Sequence, residues 1–193
     1  MEPGASPQII RVDADLELRP VRLEHATALF AAIDRNRQRL RQWLPWVRLD
    51  YAIEDVYRFI AEREREHRTR TALAATIWVE GSLCGSIALH KIDARRRGTS
   101  IGYWIDGAYE GRGIILRACR AMLTEGFRNY GLHRIEIRCA TGNRRSCAIP
   151  RRLGFVEEGI LREAEWLYDH WVDLRVFSML EQDWGEVQER NSA

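Results

Sequence analysis

Hydrophobic side chains recur every three or four positions in five stretches of the chain, which is the period of an α-helix that buries one face. In the stretch that follows Gly113, for example, Ile115, Cys119 and Met122 fall on one face. Pro150 lies inside the last stretch and is expected to weaken its hydrogen bonding, because proline has no N–H. The pattern predicts helices over residues 23–35, 37–44, 54–70, 114–130 and 144–153.

Other stretches alternate apolar and polar residues, or are short and rich in β-branched and aromatic residues, as β-strands are. This pattern predicts strands over residues 15–22, 71–79, 83–90, 99–106, 134–140, 155–162 and 171–180, with a connection at 163–170. Pro20 makes the first of them an edge strand or a strand end. No linker or internal repeat is visible. The sequence therefore predicts one mixed α/β domain over residues 1–193, with frayed ends at 1–13 and 184–193.

Composition excludes two classes of protein. Of the 193 residues, 46% are hydrophobic and 30% are charged, which is unlike a disordered chain. No apolar run approaches the roughly 20 residues of a membrane-spanning helix. The N-terminal segment lacks the basic and apolar regions of a secretory signal, so a cytoplasmic location is expected. The net charge is +2 and Lys91 is the single lysine, and neither a nucleic-acid partner nor a membrane partner is expected.

The cysteines and histidines are not arranged as a metal site. Cys84, Cys119, Cys139 and Cys147 form no C-x-x-C pair, and none is spaced with a histidine as zinc ligands are. No metal is therefore expected. In a cytosolic chain such cysteines are expected to be reduced packing residues.

The glycine loop between the predicted strand 99–106 and the next helix is the segment that most clearly indicates a binding site. Gly111 and Gly113 flank Arg112, and glycine allows a positive φ and the close approach of a ligand to the backbone. Because the first N–H groups of a helix have no intrahelical partner, this loop is a ready anion site. It is not a P-loop, since no Lys-Ser/Thr follows, nor a dinucleotide fingerprint, since Leu116 replaces the third glycine. Alone, the G-x-G also fits a plain tight turn.

Several motifs in the second half stand in the order and spacing of a known family. They read IGYWIDGAYEGRGI, NRRS, RRLGF and EGILREAEWLYDHWVDLRVFSML. This combination resembles the GNAT superfamily of acyl-CoA N-acyltransferases and, within it, the RimJ/RimL branch, whose best-known members acetylate N-termini of ribosomal proteins. The resemblance is strongest over residues 71–180 and extends more loosely to NRQRLRQWLPWV in the first half.

The resemblance implies a fold and a cofactor. The family fold is a strongly twisted, mixed, seven-stranded sheet that splays between two central parallel strands, with helices on both faces. Coenzyme A lies in the splay with its pyrophosphate on the glycine loop, so the expected cofactor is acetyl-CoA. By resemblance, the residues that bind it are Ile105, Glu110, Gly111, Arg112, Gly113, Ile114, Ile115, Leu116, Asn143 and Ser146.

Two of these residues depart from the family signature Q/R-x-x-G-x-G/A. Glu110 stands at its first position and is expected to point away from the pyrophosphate, whose charge has the same sign. Ile115 stands at the last position, where a small residue is usual. Either its side chain points inward and leaves the N–H groups of the loop free, or cofactor affinity is reduced.

The resemblance also implies catalytic residues. Ile105 would supply a backbone N–H to the oxyanion, Ser146 would protonate the leaving sulfur, and Glu165 would be the general base, directly or through water. Asn143 would hydrogen-bond the cofactor. Plainer interpretations exist for each side chain. Asn143 caps a helix with Ser146 in its first turn, and Glu165 is an exposed glutamate on a hairpin.

Other residues near the expected site carry less weight. Tyr168 and Asp106 are weaker catalytic candidates. Cys147 is interpreted as packing, because transfer in this family is direct and needs no acyl-cysteine. Trp43 and Trp46 fit either a wall of the acceptor cleft or ordinary packing.

The function expected from the resemblance is transfer of an acetyl group from acetyl-CoA to a primary amine, first of all the N-terminal amine of a protein. Two alternatives stay open. One is a small-molecule amine, antibiotic or toxin as the acceptor, and the other is a non-catalytic acyl-CoA sensor, which the departure at Ile115 favours. Relatives are often homodimers, and a homodimer is expected here. The sequence does not identify the acceptor or the acyl chain length.

Overall fold

One mixed sheet organises the part of the chain that the structure describes. This computed structural model describes the backbone of residues 8–192 and the side chains of residues 8–187. Its strands are β1 (Ile10–Arg11), β2 (Leu16–Pro20), β3 (Leu73–Val79), β4 (Ser82–Asp93), β5 (Gly98–Ile105), β6 (Arg134–Ala140), β7 (Val156–Leu167) and β8 (His170–Leu180). In the sheet order β1-β2-β3-β4-β5-β6-β8-β7, every neighbouring pair is antiparallel except β5 and β6.

Helices cover both faces of this sheet. They are α1 (Ala26–Arg35), α2 (Arg37–Arg41), α3 (Ile53–Arg68), α4 (Ile114–Thr124), α5 (Arg144–Leu153) and α6 (Glu181–Ser192), and a π-helical turn at Glu125–Asn129 continues α4. One core packs against α1 to α3 and the other against α4 to α6. Ala74 belongs to the core that packs against α1 to α3, and its neighbours Leu73 and Ala75 belong to the core that packs against α4 to α6. The reason is that alternate residues of a strand face opposite sides. The expected mixed α/β fold with helices on both faces is confirmed.

The two parallel strands separate soon after they meet. Residues Gly98–Ser100 of β5 pair with Arg134–Glu136 of β6, and beyond them each strand keeps its antiparallel partner on the other side only. The rest of β5 and the rest of β6 diverge and leave a V-shaped gap, called the cleft below. The expected splay between two central parallel strands is thus confirmed.

The structure corrects four details of the sequence prediction. The sheet has an eighth strand, the two-residue β1, so residues 10–11 are not a frayed end. Residues 181–192 form α6, which anchors Trp184 in the core at 4% exposure, so a frayed end over 184–192 is also wrong. β7 extends to Leu167, into the predicted connection at 163–170, because two register shifts absorb the residues that break its alternation. Residues 1–7 and 193 lie outside the described part.

Within the described residues, no helix combines the length and the apolar character needed to cross a bilayer.

The stability of this fold is expected to fall as the pH drops from about 6.5 to about 4, because of His90. Its ring packs so closely on β5 that a Cβ at Gly102 would lie 2.7 Å from Nε2. Burial, with Arg63 and Lys91 adding to it, lowers the pKa of His90 from 6.5 to about 4. In this window the unfolded chain binds a proton that the folded chain excludes, so the free energy of unfolding rises with pH. The full shift corresponds to about 3 kcal/mol.

Urea unfolding of the wild type and of His90→Gln, at pH 7 and near pH 4.5, measures this dependence. The variant has no titrating ring, so it is expected to lose about 2 kcal/mol less stability on acidification than the wild type. His25 and His67, whose pKa values burial also lowers, and carboxyl groups with lowered pKa values, such as Asp106 and Glu136, remain in both proteins and contribute the residual slope. Equal losses in the two proteins would show that His90 is not the source.

Candidate active site

The cleft holds a cavity of about 560 Å³, a volume in the range of small-molecule sites. Its walls come from β5, the glycine loop, the start of α4, β6, α5 and α2. Of the residues expected from the resemblance, it brings together Ile105, Glu110, Gly111, Gly113, Ile114, Ile115, Leu116, Asn143 and Ser146.

The glycine loop needs its glycines for conformation and not for space. Gly111 has φ 77 and Gly113 has φ 71, both in the left-handed region, and no atom lies within 4 Å of a Cβ built at either residue. Gly113 is the N-cap of α4, and no side chain among the described residues caps that helix. Its first N–H groups, at Ile114–Leu116, therefore face the cavity with the positive end of the helix dipole. This is the geometry of an anion site.

Ile115 does not obstruct this site. Its side chain is 8% exposed and packs in the core beneath the sheet, which is the inward orientation considered for it above. The backbone N–H of Ile115 therefore keeps its place in the first turn of α4. The core therefore accommodates the side chain that departs from the family signature.

Glu110 links two walls of the cleft by ion pairs. Its Oε1 accepts from Arg39 Nη1 of α2 at 2.5 Å, and its Oε2 accepts from Arg145 of α5. Glu110 is among the residues that line the cavity. The two guanidinium groups balance its charge, and its orientation relative to a bound pyrophosphate stays a prediction.

Ile105 presents its backbone to the cleft. It stands opposite Gly85 of β4, and the next residue, Asp106, donates its N–H to the Cys84 carbonyl at 2.7 Å. In an antiparallel ladder this arrangement makes Ile105 and Gly85 a non-hydrogen-bonded pair, whose N–H and C=O groups point away from each other. The Ile105 carbonyl accepts from Arg39 instead. Its N–H is therefore directed to the side of β5 on which the cleft lies.

The N-terminus of α5 forms the opposite wall. Asn143 caps this helix, since its Oδ1 accepts from the Ser146 N–H at 3.0 Å. The Ser146 hydroxyl donates to Cys139 Sγ at 3.2 Å and lies 3.3 Å from the Tyr103 hydroxyl. Burial raises the pKa of the Cys139 thiol to about 12, so this thiol is protonated at neutral pH. Cys147 is 2% exposed and belongs to the core, as its interpretation as a packing residue requires.

Two residues of the expected set do not line the cavity. Arg112 folds back over the Tyr109 ring, with its guanidinium carbon 5.1 Å from the ring centroid. Glu165 lies half-buried near the end of β7, opposite Val172, and its side chain is not part of the cavity wall.

The two weaker candidates have structural contacts. Burial by itself raises the pKa of the Asp106 carboxyl, but hydrogen bonds from the Ala108 N–H, Asn36 and Arg35 outweigh it and lower that pKa. Arg35 Nε lies 2.5 Å from its Oδ2, so Asp106 is an ionised anchor between α1 and the glycine loop. The Tyr168 hydroxyl donates to the carbonyls of Leu44 and Val47. It braces the β7–β8 hairpin against the segment that follows α2.

Arg39, Tyr103 and Trp104 are among the cavity residues that the sequence analysis did not single out. No local signal distinguishes Arg39 from the other arginines. Tyr103 and Trp104 lie in the strand motif IGYWID, where alternation places them on opposite faces, but both reach the cavity wall. Trp43, which was considered for an acceptor wall, also lines the cavity.

Comparisons with known proteins agree with this geometry. The family model described as an acetyltransferase (GNAT) domain matches residues 15–156. The putative ribosomal N-acetyltransferase YdaF of Bacillus subtilis is 36% identical over 176 residues, which are 90% of this chain and 96% of that protein. The ribosomal-protein-serine acetyltransferase of Escherichia coli is 30% identical over 173 residues, covering 90% and 97% of the two chains.

Solved structures show the same similarity. RimL, a ribosomal α-N-protein acetyltransferase solved in complex with coenzyme A, superposes with a TM-score of 0.87 at 27% identity, over 91% of this chain and 99% of that one. The microcin C7 self-immunity acetyltransferase MccE, in complex with acetyl-CoA and AMP, has a TM-score of 0.85 at 27% identity, over 91% and 97%. This chain therefore belongs to the GNAT acetyltransferase family, within its RimJ/RimL-like group, and is an acyl-CoA-dependent N-acetyltransferase.

Proposed function

We propose that this chain acetylates the N-terminal amine of a protein, with a ribosomal protein as the first acceptor to test. The names of YdaF and of the Escherichia coli relative support a ribosomal-protein acceptor, and RimL supports an N-terminal amine. The observation that carries the proposal is the cleft itself. The start of α4, Ile105 and Ser146 all line one cavity there.

The residues of the cleft fit acetyl-CoA. The αL glycines and the first turn of α4 suit a pyrophosphate, and Arg145 and Arg152 add positive charge on the α5 wall. When bound, the cofactor supplies an acetyl thioester. The Ile105 N–H would donate to the carbonyl oxygen as negative charge develops there. Ser146 would donate a proton to the sulfur as the C–S bond breaks and the C–N bond forms, and it would regain a proton from solvent.

The amine must also lose a proton, and we propose that Glu165 accepts it through water. In the described part of the chain, Glu110 is the one carboxylate on the cavity wall, and its two arginine partners occupy it. Glu165 lies beyond the cavity wall, so the proton has to travel through at least one solvent molecule. This distance predicts a modest effect for its loss.

Glu165→Gln is expected to lower kcat about tenfold at neutral pH, below the range for a directly bonded base, and to leave KM for acetyl-CoA unchanged. Raising the pH is expected to recover much of the loss, because more of the amine is then already neutral. Initial rates between about pH 6.5 and pH 9 measure this. Glu163→Gln, two residues away on the same strand, is the matched control. The same pH profile in the wild type and Glu165→Gln would remove Glu165 from the mechanism.

The apolar part of the cleft bears on the choice of acceptor. Four arginines line the cleft, Arg39, Arg138, Arg145 and Arg152, against the single carboxylate of Glu110 among the described residues. The phosphates of the cofactor would match this positive charge. On the acceptor side Trp43, Trp104, Leu40 and Leu44 supply an apolar wall, which suits a peptide end with a small uncharged first side chain.

A small-molecule acceptor is the second candidate, and the similarity to MccE, a self-immunity acetyltransferase, favours it. The sensor alternative loses its main support, because Ile115 packs inward and the relatives are acetyltransferases.

Thiol release from acetyl-CoA, measured against peptides with different first residues, polyamines and aminoglycosides, tests the proposal. Turnover of peptides that begin with Ser, Thr or Ala is expected, with polyamines inactive. Turnover of small amines alone would overturn the protein acceptor and keep the transferase activity.

We also propose that the chain forms a homodimer through the β7–β8 hairpin. Large apolar side chains are exposed along it, including Ile160 at 47%, Trp166 at 45% and Trp171 at 54%, and an exposed apolar edge strand invites pairing. Sedimentation is expected to give a dimer for the wild type and a monomer for Ile160→Asp. A monomeric wild type would contradict this.

The cytoplasm is the proposed location, because a ribosomal-protein acceptor is found there.

A further inference from the structure

Pro150 leaves one carbonyl of α5 without its helical donor. In an α-helix the carbonyl of residue i accepts from the N–H of residue i+4, and for Ser146 that residue is Pro150, which has no N–H. The turn before is regular, since the Cys147 N–H donates to the Asn143 carbonyl at 3.0 Å. The gap in the ladder therefore falls on Ser146, which lines the cavity and is the proposed proton donor.

The Tyr103 hydroxyl fills this gap from the other wall of the cleft. It donates to the Ser146 carbonyl at 3.1 Å and lies 3.3 Å from the Ser146 hydroxyl. Burial raises the pKa of Tyr103 well above its usual value, so the phenol keeps the proton that it donates. Tyr103 belongs to β5 and Ser146 to α5, so this contact joins the two walls of the cavity that both residues line.

We propose that Tyr103 is a positioning residue, which holds Ser146 in place through the carbonyl that Pro150 leaves open. The proposal rests on the proposed acid role of Ser146. Its hydroxyl donates to Cys139 Sγ. With the backbone fixed by Tyr103, rotation about χ1 and about the Cβ–Oγ bond would redirect this proton into the cleft.

A cycle of four proteins tests this inference: the wild type, Tyr103→Phe, Pro150→Ala and the double variant. Pro150→Ala restores an N–H opposite the Ser146 carbonyl, so it replaces the bond that Tyr103→Phe removes. Tyr130→Phe is the control for the loss of a buried phenol outside the cleft, where Arg70 lies 4.4 Å over the ring. Thermal unfolding without cofactor is the readout that does not depend on activity.

In the Pro150 background, Tyr103→Phe is expected to lower Tm by roughly 5 °C and kcat about tenfold, because a partly buried carbonyl loses its donor. In the Pro150→Ala background both losses are expected to shrink to within about twofold in kcat and roughly 2 °C in Tm. KM for acetyl-CoA is expected to change little in either background. Tyr130→Phe is expected to show no coupling to Pro150.

Equal losses of Tm in both backgrounds would overturn the inference, since Tyr103 would then act by packing alone. Rescue of Tm without rescue of kcat would overturn it too, because the hydroxyl would then act on the reaction directly. Failure of the proposed function looks different. A wild type that turns over no amine, with the Tm coupling intact, would overturn the proposed acceptor and support the contact between Tyr103 and Ser146.

Discussion

Gly113→Asp is expected to bind coenzyme A about 100-fold more weakly than the wild type, with Tm changed by only a few degrees. Gly113 has φ 71 and open space around its Cβ position, and aspartate is among the residues that tolerate this conformation best. The fold therefore accepts the side chain. The carboxylate, however, stands at the N-terminus of α4, where its charge repels the pyrophosphate and attracts the same N–H groups.

Gly113→Asn is the matched control, since it has the same shape and backbone tolerance without the charge. It is expected to weaken binding by less than about tenfold, and the difference between the two variants should shrink as salt screens the repulsion. Isothermal titration with coenzyme A, at two salt concentrations, gives both affinities. Equal affinities for the two variants would mean that the phosphates do not lie on the start of α4.

Ser146→Ala is expected to lower kcat about 100-fold, with KM for acetyl-CoA changed less than about threefold. The reason is that the hydroxyl acts only as the sulfur leaves, while the cofactor is held mainly by the glycine loop. With a leaving group that needs no proton, Ser146→Ala should lose less of its kcat. An acetyl thioester of an acidic aromatic thiol is therefore expected to narrow the difference between variant and wild type.

Ser100→Ala serves as the control, because Ser100 lies on β5 before the strands diverge and is not part of the cavity wall. Its kcat should match that of the wild type. Steady-state rates with both thioesters test whether Ser146 donates the proton. If Ser146→Ala loses activity equally with both leaving groups, proton donation is not its role.

The parts of the site that a local pattern specifies could be predicted from sequence. Two glycines before a helical pattern predict αL positions, which the structure has at Gly111 and Gly113, and an anion site, which stays a prediction. Asn143 three residues before Ser146 predicts a cap, and the cap is present. The wider fold and the cofactor came from the resemblance, since several ordered motifs are far more specific than one glycine loop.

What escaped prediction depends on contacts between distant segments. The bond from Tyr103 to Ser146 crosses the cleft, so neither residue signals it locally. Arg39 pairs with Glu110 only because α2 folds over the glycine loop. The resemblance gave Glu165 its position in the sequence, but the register shifts of β7 decide which way it faces.

The short parallel contact between β5 and β6 affects how long the protein resists proteolysis in a cell. Within the sheet, three residue pairs join the first five strands to the last three. A ligand in the cleft touches both groups, so its binding energy also resists their separation. At 100 times its Kd, such a ligand adds about 2.7 kcal/mol to the free energy of unfolding. Proteolysis that proceeds through the open state should slow by about 100-fold. The supply of acetyl-CoA would then set how long each copy survives as well as how fast it works.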